Sequence, residues 1–193
     1  MIIVCSLKDH KEVCERYQND FLISAIDPGF APVTPRNVKH HLKLGFDDIE
    51  EIKPNNLIHR NLNYVKDDYI LNNQILPNKD HIKQIIDFVL KWDLSSPIVI
   101  HCWCGVSRSM AIAIFILCKM YPNNINANIK YVRSIAPHAN PNKLMISMFE
   151  KYLKNEGKII KALKLFPYTV TYDCETNFAP ISIFDISKVE VLK

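Results

Sequence analysis

The chain has 193 residues, 48% of them hydrophobic and 23% charged, which suffices for one domain with a substantial core. A net charge of +4 favours anionic ligands slightly and, without clustered basic patches, gives no reason to expect nucleic acid as a partner. The longest apolar run, Met110–Cys118, is too short to span a bilayer, and Met1–Cys5 is too short and too uncharged for a secretion signal, so no membrane partner is expected. The six cysteines, at 5, 14, 102, 104, 118 and 174, form no regular disulfide framework. The expected compartment is therefore a reducing cytoplasm, which keeps Cys102 free.

Ile2–Leu7 reads as a first strand and Lys8–Gln18 as a short helix. Phe21–Ile26 reads as a buried strand, ended by the turn signal Asp27-Pro28-Gly29. Pro32 and Pro35 keep the next stretch in a loop. His40–Phe46 alternates, with Leu42, Leu44 and Phe46 on one face, and is expected as a third strand. It runs into the carboxylate cluster Asp47-Asp48-Ile49-Glu50-Glu51. Residues 52–77 are rich in Asn and read as an irregular excursion, with one short element expected at Tyr64–Leu71. From Asn78 the positions Ile82, Ile85, Ile86 and Val89 mark one helical face. Lys83, Asp87 and Lys91 lie opposite, Asp87 and Lys91 being spaced as a favourable pair. After Pro97 comes a buried strand, Ile98–Cys102, and from Arg108 a helix apolar all round, hence central. Ile125–Ser134 and a segment opened by Pro141 are two further helices, and Tyr168–Tyr172 and Ile181–Ile186 are strand-like. Strands alternating with helices predict an α/β single domain, a central largely parallel sheet of four to five strands flanked by helices.

Between the strand ending at Cys102 and the helix starting at Arg108 lies a short loop, Trp103-Cys104-Gly105-Val106-Ser107. A helix N-terminus offers unpaired N–H groups and the positive end of its dipole, and a loop wrapped around it cradles an anion. A cysteine placed there favours its thiolate, the nucleophilic form. Arg108 can grip two phosphate oxygens at once, and Gly105 fits a tight turn around the anion. The amides of Trp103 to Arg108 are the expected phosphate ligands, with Cys102 attacking phosphorus in line to form a phosphocysteine. Ser109 is placed to hydrogen-bond the thiolate. A nearby acid must protonate the leaving oxygen and then activate water. The loop supplies the positive field, so no metal or cofactor is expected.

These residues resemble the Cys-x5-Arg protein phosphatases, and the form His101-Cys102-x-x-Gly105-x-Ser107-Arg108-Ser109 is similar to the dual-specificity branch of the protein tyrosine phosphatases. Val132-Arg133-Ser134 with Pro137, Pro141, Asn142 and Phe149-Glu150 resembles that family's tail after the loop. Asp27-Pro28-Gly29, Phe46–Ile49, Trp92, His101-Cys102-Trp103 and Ala136–Ala139 further resemble a bacterial subgroup of small tyrosine phosphatase-like proteins. The resemblance runs from about residue 20 to 155. It implies a catalytic domain over 1–157, with 52–77 as an insertion, and 158–193 as a C-terminal extension packed on the same domain. It also implies a phosphorylated protein as substrate, phosphotyrosine first, with phosphoserine and phosphothreonine also open. The alternatives are a phosphate-binding module without turnover and, more remotely, a sulfurtransferase.

The family's acid is an aspartate on a neighbouring loop. Asp48 matches best, while Asp47, Asp67 and Asp68 remain open. Cys104 reads as a small apolar filler, since a bond to Cys102 across one residue would be strained. Trp92 and Trp103 read as packing residues. The side chain of His101 should point away from that of Cys102, as neighbours on a strand do.

Overall fold

The computed structural model describes residues 1–52, 74–172 and 177–188. In chain order the elements are β1 (Ile2–Ser6), α1 (His10–Tyr17), β2 (Phe21–Ile26), β3 (His40–Gly45), α2 (Lys79–Leu90), β4 (Ile98–Cys102), α3 (Arg108–Met120), α4 (Ile125–Ile135), α5 (Lys143–Leu153), α6 (Lys158–Leu165) and β5 (Ser182–Phe184). The strands form one five-stranded sheet in the order β3-β2-β4-β1-β5. The first four are mutually parallel, and β5 runs antiparallel to β1. This is a single α/β domain with a mostly parallel sheet, as the alternating pattern predicts.

β1, β2 and β4 are buried along their whole length, because both faces of the sheet are covered and a continuous apolar run satisfies both. Side chains alternate between the faces. Ile2, Val4, Ile23, Ala25, Ile98 and Ile100 join the larger core, with α2 to α6, while Ile3, Cys5, Leu22 and Val99 meet Val13 and Cys14 of α1. Along α3 every residue from Arg108 to Cys118 is buried. Phe115 there stacks on Phe149 of α5, with ring centroids 4.4 Å apart. Among the described residues no helix is long and apolar enough to cross a membrane.

Two helix starts deserve their chemistry. Asn78 accepts hydrogen bonds from the amides of Asp80 and His81, and the His81 ring accepts one from the Asn78 amide, closing a capping box. α6 starts after Gly157 at φ 77°, and its first amides, Ile159 and Ile160, donate to the buried Glu150 carboxylate at 2.6 and 3.1 Å. A carboxylate there also sits favourably against the helix dipole.

Some expectations need correction. On α2 the ion pair is Lys83–Asp87 at 2.6 Å, not Asp87–Lys91. Residues 168–172 are not a strand; the sheet edge beside β1 is taken by β5, which leaves this run no ladder on that side, and the Thr169 amide bonds to the Pro137 carbonyl instead. The element expected at Tyr64–Leu71, and most of the 52–77 excursion, lie outside the described residues.

Candidate active site

In a parallel sheet the crevice opens beyond the carboxyl ends of the strands. Here four strand ends converge: Leu7 after β1, Asp27 after β2, Phe46-Asp47-Asp48 after β3 and Cys102 closing β4. The loop 103–107 wraps over the start of α3. The Trp103 carbonyl accepts from the Leu7 amide (3.0 Å), and the Val106 carbonyl accepts from the Asn140 amide (3.0 Å). Every described peptide is trans, so the Cys104 and Ser107 N–H groups are turned opposite to those two carbonyls. Gly105 sits at φ 76°, and a Cβ there would lie 3.0 Å from the Cys5 carbonyl carbon. The loop can pass this close to β1 only without a side chain.

Cys102 is a free thiol, 2% exposed at the floor of the loop, with Ser109 Oγ 3.2 Å from its sulfur. Arg108 is buried. Its Nη1 donates to Asp27 Oδ1 (2.7 Å) and to the Phe46 carbonyl (2.6 Å). Burial opposes the guanidinium charge, but Asp48, Cys102 and Asp27 outweigh it and hold its pKa above the ordinary value. Its Nε is buried with no hydrogen bond, 3.8 Å from Asp48 Oδ2. An unspent donor on a fixed cation is what an incoming oxyanion needs. Asp48 reaches over the same loop: its Oδ1 accepts from Ser107 Oγ (2.7 Å) and from Asn142 Nδ2 (3.0 Å).

Asp47 has a different task. It is buried, its Oδ2 accepts from the Ile75 amide (2.8 Å), and its own amide donates to the Ile75 carbonyl. It therefore ties together the two ends of the excursion, and Asp48 is the carboxylate of the pair turned to the loop. Asp67 and Asp68 lie outside the described residues.

The catalytic-domain model of the dual specificity phosphatases matches residues 34–154. The chain belongs to that family. No curated protein matches its sequence. Its fold is similar to that of DUSP15, at 17% identity and a TM-score of 0.57, covering 87% of this chain and 94% of that one. It is similar to PTPMT1 in complex with PI(5)P, at 13% identity, TM-score 0.55, and 84% and 94% coverage. It is also similar to a human tyrosine phosphatase-like serine/threonine/tyrosine-interacting protein, at 14% identity, TM-score 0.55, and 80% and 92% coverage.

Within this dual-specificity phosphatase frame, the structure adds residues that the sequence left in other roles. Asp27 read as a turn signal, and it is the buried counter-ion of Arg108. Asn142 read only as part of the family-like tail after the loop. Its Oδ1 does cap α5 by accepting from the Met145 amide, while its Nδ2 holds Asp48 and the Ile49 carbonyl. Trp92 is packing, buried with its Nε1 donating to the Ser96 carbonyl. Trp103 is half-buried beside the nucleophile, its ring centroid 5.3 Å from that of exposed Phe30. Cys104 is more than a filler, because it is disulfide-bonded. It is not bonded to Cys102, which is free like Cys5, Cys14 and Cys118. Loop spacing could exclude the strained bond to Cys102 but carried no sign of any other bond.

Proposed function

We propose that the protein hydrolyses phosphate monoesters on proteins, phosphotyrosine first, through a phosphocysteine intermediate. The observation that carries this is the convergence on one loop of a free Cys102, the unspent Nε of Arg108 and the Asp48 carboxylate. Family membership supports the phosphatase class. The aromatic pair Phe30–Trp103 at the rim supports an aryl ester, whose ring it can flank.

Chemically, the Cys102 thiolate attacks phosphorus as the P–O bond to the leaving group breaks. The Arg108 guanidinium and the loop amides hold the three non-bridging oxygens. Asp48 gives its proton to the departing oxygen. It then takes a proton from water, which attacks the phosphocysteine, breaks the P–S bond and releases phosphate. Ser109 donates to the sulfur and eases its departure.

Hydrolysis of p-nitrophenyl phosphate and of a phosphotyrosine peptide tests this. Cys102→Ser should abolish turnover, and Asp48→Asn should lower peptide kcat by about 10²- to 10⁴-fold, the range of general acid–base contributions. Turnover surviving Cys102→Ser would sink the cysteine mechanism. An unchanged rate in Asp48→Asn would move the acid to Asp67 or Asp68. A wild type that binds phosphopeptide and does not turn it over would be a phosphoprotein-binding module.

A further inference from the structure

The site as described leaves a line of hydrogen-bonding side chains beneath it unused. His101 precedes the nucleophile and is 0% exposed, on the sheet face opposite the Cys102 side chain. Its Nδ1 lies 3.3 Å from the Cys102 carbonyl oxygen. Its Nε2 lies 2.6 Å from Ser24 Oγ on β2. The same Ser24 hydroxyl lies 2.7 Å from His41 Nε2 on β3, and His41 Nδ1 lies 2.9 Å from Thr34 Oγ1 in the exposed loop between β2 and β3. Four groups, from β2, the loop after it, β3 and β4, thus form one unbroken line from solvent to the nucleophile's own peptide. The register explains the line: β2 pairs Ser24 directly with His101 and Leu22 with His41, so Ser24, His101 and His41 all project from one sheet face.

The line has a direction that its chemistry fixes. The Cys102 carbonyl can only accept, so His101 must donate to it from Nδ1. Burial, followed by the nearby His10, lowers the His101 pKa to about 3, and the ring is neutral with a single N–H. Its Nε2 is then an acceptor, and the Ser24 hydroxyl must donate to it. Having spent its proton, Ser24 can only accept from His41, whose N–H therefore sits on Nε2. His41 is also neutral, lowered to about 4 by burial and then by Lys43 and His10. Its Nδ1 accepts from the Thr34 hydroxyl. The groups facing the two rings are His10 at the start of α1, Lys43 on β3 and Arg108 on α3, with no carboxylate among them to draw a second proton onto either ring.

We propose that Ser24 and His41 are positioning residues for the nucleophile, locking His101 as the Nδ1–H tautomer that donates to the Cys102 carbonyl. That hydrogen bond offsets the negative end of the carbonyl dipole next to the thiolate. It also fixes the peptide plane that follows, turning the Trp103 N–H away from His101. The proposal rests on Cys102 being the nucleophile, but its test does not depend on turnover.

The test uses the full chain with ¹⁵N-labelled histidine to read the His101 tautomer, and iodoacetamide to read the pH midpoint of Cys102 alkylation. Ser24→Ala and His41→Phe should lose the Nδ1–H signature. They should also raise the midpoint by about half a unit, roughly a threefold slowing of alkylation below it. Ser24→Thr and His41→Gln, which keep the donor and acceptor, should retain both wild-type readings. Ser24→Ala and His41→Phe variants that keep the wild-type tautomer and midpoint would overturn the proposal. So would equal shifts in all four, which would mark a packing effect. The tautomer is also readable in Cys102→Ser, so a failed relay and a failed phosphatase assignment give different results.

Discussion

Replacing Asp27 by alanine should unsettle the protein before it touches the chemistry. Arg108 Nη1 and Asp27 Oδ1 are 2.7 Å apart, with side-chain exposures of 2% and 10%. Removing one partner leaves a guanidinium in the interior with part of its charge uncompensated, and breaking a buried pair in this way costs about 3–5 kcal/mol. The Phe46 carbonyl still accepts from Nη1, which places the cost toward the lower end. For a domain of this size each kcal/mol moves Tm by roughly 2–4 °C, so a cost near 3 kcal/mol should make Asp27→Ala melt roughly 6–12 °C below wild type. Asp27→Asn keeps an acceptor oxygen without the charge and should lose about half as much. An oxyanion in the loop would supply negative charge to the same guanidinium, so orthovanadate should raise the Tm of Asp27→Ala more than that of wild type. Thermal denaturation followed by circular dichroism, with and without vanadate, measures all three. Asp27→Ala melting with wild type, or gaining no more from vanadate than wild type does, would refute the argument that Asp27 balances Arg108.

Other outcomes follow from the same geometry. Gly105→Ala must place a Cβ 3.0 Å from Cys5 backbone at φ 76°, which costs about 1–2 kcal/mol of backbone strain; kcat/KM should drop by more than the loss of stability would suggest, and wild-type kinetics would contradict the close approach. Glu150→Ala strips the acceptor from the Ile159 and Ile160 amides at about 1–3 kcal/mol, whereas Glu150→Gln should lose less; guanidinium titration would show it, and equal midpoints for all three proteins would not fit. His101, held at about 3 against an ordinary 6.5, refuses a proton that the unfolded chain accepts, so stability falls as pH drops from about 6.5 toward about 3. Urea titrations should show roughly 2 kcal/mol less of this loss between pH 7 and pH 5 in His101→Gln, and an identical loss in both proteins would show the ring to be charged in the fold.

What the sequence made legible is what lies close together along the chain. The buried strands announce themselves as continuous apolar runs, the helix faces by their periodicity, and the loop because nucleophile, glycine, arginine and serine sit within one short segment. What stayed hidden depends on pairings across the fold. Asp27 meets Arg108 across 81 residues, and Asn142 meets Asp48 across 94. Each has a plausible local role, turn former or helix cap, that masks the distant one. Asp47 and Asp48 are adjacent and alike in type, and only the fold turns one to Ile75 and the other to the loop. Ser24 reads as an ordinary residue of a buried strand until the register sets it between two histidines.

The short strand β5 has a consequence beyond completing the sheet. It pairs along Ile2, Ile3 and Val4 of β1, a strand buried on both faces. Without it, β1 would become an apolar edge with a row of unpaired N–H and C=O groups, the template on which chains add to one another. A version of the protein cut after residue 157 would keep the loop, the nucleophile and the arginine in sequence, yet expose that edge. Its first failure would be self-association rather than lost chemistry. The segment around Phe184 thus shields the sheet that holds the site, though it lies far along the chain from every residue of the phosphate loop.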